Sequence, residues 1–124
     1  MKFSVTHEND TEFAGDGLRG FFEYRDLGIK DATNGKFGAH VIRAVPGAHA
    51  ISNDHTHTLE FQMVYILKGW VKFWYEGVGE VVLKPGSCVH QTPGIVHREI
   101  EHSDDLELIE ITLPAEFGTD DASG

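Results

Sequence analysis

Cysteine is nearly absent: one, Cys88, stands among 124 residues. No internal disulfide is possible, and a reducing compartment is compatible. Basic residues are few as well, ten Lys and Arg against 20 Asp and Glu, for a formal charge of −10. The ten are scattered. Nucleic acid and anionic membranes both need basic clusters, so neither is expected as a partner. No apolar run approaches the roughly 20 residues of a membrane span. The opening stretch, MKFSVTHENDTEF, carries acids early and lacks the apolar segment of a secretory signal. These absences lead to the expectation of a soluble, cytoplasmic protein.

Helical periodicity is also hard to find. What is present instead is a series of short β-rich runs divided by Gly, Pro, Asn and Asp. The pattern predicts strands near 2–5, 18–26, 37–45, 61–67, 71–75, 79–83, 87–91, 97–102 and 106–113. Turns fall between them, at 31–35, 46–48, 68–69, 76–79, 84–86, 93–94 and 102–105. A single helical turn is expected in LGIKDAT, residues 27–33. Many short strands at this spacing predict an all-β sandwich or barrel. One domain is expected over 1–117, with GTDDASG at 118–124 as a small, polar, disordered tail.

In a strand, residues i and i+2 point to one face. His55 and His57 therefore project together. On the next strand Gln62, Val64 and Ile66 share a face, and Met63, Tyr65 and Leu67 share the other. His97 opens a later strand directly after Thr92-Pro93-Gly94. Each of these residues alone reads more simply as a surface or hydrogen-bonded polar group. Together, three imidazoles and a carboxamide oxygen suit one divalent transition metal, since imidazole binds Zn, Cu, Fe and Ni and a neutral oxygen completes the set.

The order and spacing of these residues resemble the cupin family. Its first motif reads G-x5-H-x-H-x(3–4)-E-x6-G, and here His55-Thr56-His57, four residues, Gln62, six residues and Gly69 follow it. Gln stands in the Glu position, and Gly47 lies two residues before the expected initial Gly. The second reads G-x5-P-x-G-x2-H-x3-N, matched by Gly86, Thr92-Pro93-Gly94, His97 and Glu101, with Thr for Pro and Glu for Asn. The motifs occupy 55–69 and 86–101. The resemblance implies a small, RmlC-like double-stranded β-helix, or jelly-roll barrel. It puts His55, His57, Gln62 and His97 at the metal positions, holding one divalent ion (Fe, Ni, Zn, Mn or Cu). With Gln for Glu the ligand set is neutral, so the ion keeps its full charge, at some cost in affinity.

Glu99 and Glu101 share parity with His97, so both are expected to lean inward, where one would act as a general base or orient a histidine. Glu101 alone reads more simply as a solvated residue at the barrel mouth. On the last predicted strand Leu108, Glu110 and Thr112 share a face, opposite Ile109, Ile111 and Leu113. Glu110 is then expected to look into the barrel as a buried acid suited to proton transfer. His40 is expected to face inward with Ile42 as a satisfied core residue, Cys88 and His90 to be buried without chemistry, and Glu60 to be solvated. Phe21, Phe22, Tyr24, Trp70, Phe73, Trp74 and Tyr75 are expected to supply much of the core. Trp70 and Trp74 share one face of their strand, Phe73 and Tyr75 the other, so one set is left for a dimer interface of the kind many small cupins form.

The three-His-plus-Gln set is similar to that of small cupins that open the rings of unsaturated uronates. Those carry an Asp on the last strand, then a Phe and an Arg. Here Glu110 stands near the Asp position, Thr112 at the Phe, and Glu116 about where the Arg would be, so a substrate carboxylate lacks its cation. Two readings from different classes follow. One is a metal-dependent enzyme on a small oxygenated metabolite, of isomerase, lyase or dioxygenase type, with Glu110 or Glu101 as acid/base. The other is a non-catalytic, homodimeric module that binds metal or a small ligand. A metal-free barrel requires the histidines to be incidental.

Overall fold

The computed structural model of the chain describes residues 1–15, 21–47 and 54–122. Among these residues, ten strands alternate with tight turns: β1 (Phe22–Asp26), β2 (Gly38–Ala44), β3 (His55–Thr58), β4 (Phe61–Lys68), β5 (Val71–Tyr75), β6 (Gly79–Leu83), β7 (Cys88–His90), β8 (His97–His102), β9 (Glu107–Leu113) and β10 (Gly118–Asp121). One helical turn, α1 (Ile29–Ala32), falls inside the predicted LGIKDAT segment. The strands form two antiparallel five-stranded sheets, in the orders β1-β2-β9-β4-β7 and β10-β3-β8-β5-β6. This is the predicted all-β, jelly-roll architecture.

Alternation places the core. β4 buries Gln62, Val64 and Ile66 and turns Tyr65 and Leu67 outward. Ile66 and Val71 are fully buried and pack with Phe21, Phe22, Ile42 and Leu108 between the sheets. At about 25 cal/mol per Å² of apolar surface, such residues dominate the favourable side of folding. Phe73 and Tyr75 face inward, whereas Trp70 and Trp74 lie outside the core cluster. Trp74 instead lies under the Arg98 guanidinium at 4.6 Å, on the outer face. The two tryptophans were expected in the core; strand parity leaves room for only one aromatic set.

Gly69 closes the β4–β5 turn at φ +72°, and a Cβ there would stand 2.9 Å from the Leu106 Cα. Both the left-handed backbone and the close approach require glycine at that motif position.

Three expectations fail. Residues 2–5 form no strand: the edge of β1 is already used by Ala14, which bridges to Tyr24, so the N-terminal segment is left with one backbone bond, Lys2 N to Ala32 O. The tail expected to be disordered forms β10 over Gly118–Asp121, where it covers the free edge of β3 with Thr119 opposite His57. Cys88 and His90 are exposed, because β7 is an edge strand whose Val89 takes the inward position. The predicted strand at 18–20, the turn at residue 48 and tail residues 123–124 lie outside the described residues.

A β-bulge divides β8. Phe73 pairs with Glu99 but Lys72 pairs with Glu101, so Ile100 is the extra residue. The bulge reverses parity beyond it. His97, Glu99 and His102 are buried, and Glu101 points to solvent. Glu99 and His102, 2 % and 3 % exposed, are joined through Nδ1 at 2.8 Å, and the His102 ring lies against those of Phe21 and Phe22. Removing one partner of such a buried pair leaves the other desolvated and unmatched. His102→Ala is therefore expected to cost about 3 kcal/mol or more, and the pair Glu99→Leu with His102→Phe less than the two single changes summed. Urea melts of the wild type, His102→Ala, the two single changes and the pair check this; strictly additive costs would show that the two side chains do not act together.

Candidate metal centre

The centre begins with a register. His55 on β3 pairs directly with His97 on β8, and His57, two residues on, shares the inward face of β3. The three rings stand 4.2 to 4.9 Å apart, centroid to centroid. Their ligand nitrogens all lie within 4.8 Å of one another. His55 and His97 are 6 % and 3 % exposed.

Two of the rings are oriented by their other nitrogen. His97 Nδ1 lies 3.0 Å from the Ile95 carbonyl. A carbonyl only accepts, so Nδ1 carries the hydrogen and Nε2 keeps its lone pair. His57 Nδ1 lies 2.9 Å from the Thr119 hydroxyl, supplied by β10. These partners are of the kind that fix ring orientation in metal sites. The donor set fits a divalent ion: three imidazoles with ligand nitrogens gathered this closely are of the type that binds transition metals.

Gln62 is buried and lines the same cavity. Its Nε2 donates to Glu110 Oε2 at 3.0 Å, which commits the amide nitrogen to the carboxylate and leaves Oε1 as the donor atom toward an ion. Glu110 faces inward on β9, as alternation predicts. The cavity occupies about 350 Å³.

The remaining sequence-predicted residues fall elsewhere. Glu101 is exposed on the outer side of the β8 bulge and does not line the cavity, which agrees with its reading as a solvated residue and not with inward parity or an acid/base role. Glu99 does point inward, but to His102. His40 sits by Asp26 and Tyr24, away from the histidine group. Glu60 is exposed, as expected. Glu116 is exposed and paired with Lys30. Sequence reasoning missed Thr119, Phe117 and Gln91, all of which line the cavity. Gln91 was visible only as a polar residue just before the Thr92-Pro93-Gly94 turn, and Thr119 gave no signal at all. Tyr75 lies behind His97, stacked at 5.9 Å, and its hydroxyl donates to Gln91 Oε1 at 2.9 Å. Burial pushes the Tyr75 phenol well above its ordinary range, so it remains a donor at any working pH.

Compared with known families, residues 40–112 match the cupin domain. The chain belongs to that family. Solved cupin-fold structures resemble it over nearly its whole length. A polyketide cyclase, RemF from Streptomyces resistomycificus, is 15% identical, with a TM-score of 0.75 over 97% of this chain and 85% of its own. KdgF from Halomonas sp. is 17% identical, with a TM-score of 0.72 over 91% and 96%. An RmlC-like cupin from Shewanella frigidimarina is 22% identical, with a TM-score of 0.69 over 93% and 94%. At these identities the likeness is one of fold. No curated protein sequence matches.

Protein purified without chelator is expected to carry close to one equivalent of a divalent transition metal per chain, and His57→Ala to lose it. Thr119→Val, which removes only the orienting hydroxyl, should weaken metal affinity by about tenfold. Elemental analysis and chelator competition measure both. Unchanged metal in His57→Ala would remove the site assignment.

Proposed function

We propose that this cupin is a metal-dependent enzyme acting on a small oxygenated metabolite by proton transfer, of the isomerase or lyase type. His55, His57, His97 and the Gln62 oxygen would hold one divalent ion (Fe, Ni, Zn, Mn or Cu), and Glu110 would be the acid/base. The observation that carries this reading is the Gln62–Glu110 hydrogen bond, which joins a metal-side residue to a carboxylate in one cavity.

The bound ion would supply Lewis acidity toward a substrate oxygen, undiminished by a carboxylate ligand. The protein's own groups do the rest. Glu110 accepts a proton from carbon or hydroxyl and returns it at a neighbouring position. Gln62, bonded to one carboxylate oxygen, holds that group in place. The inward Phe22, Ile42 and Leu108 side chains keep water from the reacting atoms. RemF is a polyketide cyclase, and its shared fold supports reading the barrel interior as a reaction chamber. Glu101, outside the barrel, has no part in this scheme. The non-catalytic module is the reading that remains if metal is bound and nothing is turned over.

The homodimer expectation finds support in the outer face of the β2-β9-β4 sheet region. There Met63, Ile109 and Ile111 lie beside Tyr65 and Leu67, which are 39% and 42% exposed. An apolar sheet face of this kind suits burial against a second copy. Among the described residues, no helix is long and apolar enough to cross a membrane.

Glu110→Gln keeps the shape and the Gln62 neighbour but removes the base. It should retain the metal and lower kcat by about 100-fold or more on whichever substrate the wild type turns over. Steady-state kinetics alongside elemental analysis separate the two effects. A wild-type rate in this variant would eliminate Glu110 as the acid/base.

A further inference from the structure

The cavity wall says what kind of molecule it admits. Phe22, Tyr24, Phe73 and Phe117 line it together with the aliphatic Ile42, Val64, Val71 and Leu108, and the three histidines, Gln62, Gln91, Glu110 and Thr119 make up the polar remainder. Among the described residues, no lysine or arginine lines it. Several of the chain's cations are engaged outside: Arg98 with Asp54 and Trp74, Arg43 with Glu23 and Phe13, Lys30 with Glu116. A ligand carboxylate or phosphate reaching away from the histidines would therefore be desolvated against carbon with no counter-charge, which is strongly unfavourable. Flat rings, by contrast, pack well on aromatic walls. An engineered apolar cavity of about 150 Å³ holds benzene, so about 350 Å³ has room for two or three fused rings.

One buried polar group in this wall is neither part of the histidine group nor the acid/base. Gln91 is 4 % exposed, and its backbone N–H is bound to the Gln62 carbonyl. Tyr75 donates to Oε1, which settles which way the amide stands. Nε2, with two hydrogens to give, is the end left for the cavity.

We propose that the cavity binds an uncharged, ring-bearing compound carrying a carbonyl or hydroxyl oxygen, and that Gln91 reads this oxygen through its Nε2 hydrogens. This rests on the barrel interior being the working site, and it names the class of molecule taken there. It asks nothing of the metal, so the two ideas fail separately.

The probes are 2-naphthol, 2-naphthoate and naphthalene, titrated by calorimetry or fluorescence at neutral pH into metal-loaded and chelator-stripped full-length protein. The expected result is one 2-naphthol per chain in both forms, and at least tenfold weaker 2-naphthoate in the stripped form, where no ion attracts the carboxylate. Gln91→Leu should weaken 2-naphthol by about tenfold, the loss of one buried hydrogen bond, and leave naphthalene unchanged. Gln91→Glu keeps an acceptor for Tyr75 but has no hydrogens to give, so it should show the same selective loss even if the leucine variant does not fold. Failure of 2-naphthol to bind overturns the proposal. So does 2-naphthoate binding as tightly as 2-naphthol to stripped protein, or an equal loss of naphthalene and 2-naphthol affinity in the Gln91 variants. If the wild type carries no metal but keeps this selectivity, the metal reading falls and the ligand class stands.

Discussion

Three imidazoles brought within 4.8 Å of one another must give up most of their water to stand together, and the barrel is arranged around that constraint. Two of them belong to β3, whose four residues make it one of the shortest strands of the fold. A strand this short holds its register only through its neighbours. β8 supplies one, by pairing His97 against His55. β10 supplies the other and adds the Thr119 hydroxyl behind His57. The polar C-terminal segment is thus an edge cover and a ligand support at once, and it protects an edge that would otherwise be open to pairing.

The bulge in β8 serves two different interiors with one strand. Before it, His97 looks into a cavity large enough for a ligand. After it, His102 folds back toward Glu99 among phenylalanines and makes a closed polar contact in the core. Without the extra residue at Ile100, Glu101 would take the inward place and His102 would face solvent. Bulges re-aim side chains in this way next to sites. Here the re-aiming keeps a second carboxylate out of the chamber and leaves Glu110 as the only one among the described residues.

Much of this was legible in the sequence because period-two alternation is a local property. It assigned the inward faces of β4 and β9, and with them Gln62 and Glu110, without knowledge of the partners. Spacing between motifs then gave the histidine set. What was not legible depended on long-range pairing. A bulge is a property of two strands, so Glu101 was assigned by a parity that β5 overrides. β10 has turn-like composition, and only the free edge of β3 makes it a strand. The Trp70 and Trp74 pair shows the same limit: hydrophobicity marks them as core, but the interior side of β5 is already filled by Val71, Phe73 and Tyr75.

The substitution of Gln for a ligand carboxylate has a consequence beyond the charge of the centre. A glutamate at position 62 would be held by an ion and would repel Glu110 across a contact of about 3 Å, in a setting where charges interact far more strongly than in water. One of the two would then have to keep a proton, and neither would be a free base. The amide reverses that relation, because its N–H donates to Glu110 where a second carboxylate would repel it. In the proposed scheme the carboxylate stands one hydrogen bond away from the ligand position, on the cavity wall. In the proposed enzyme, a neutral metal shell and a positioned base would both follow from the one residue, Gln62.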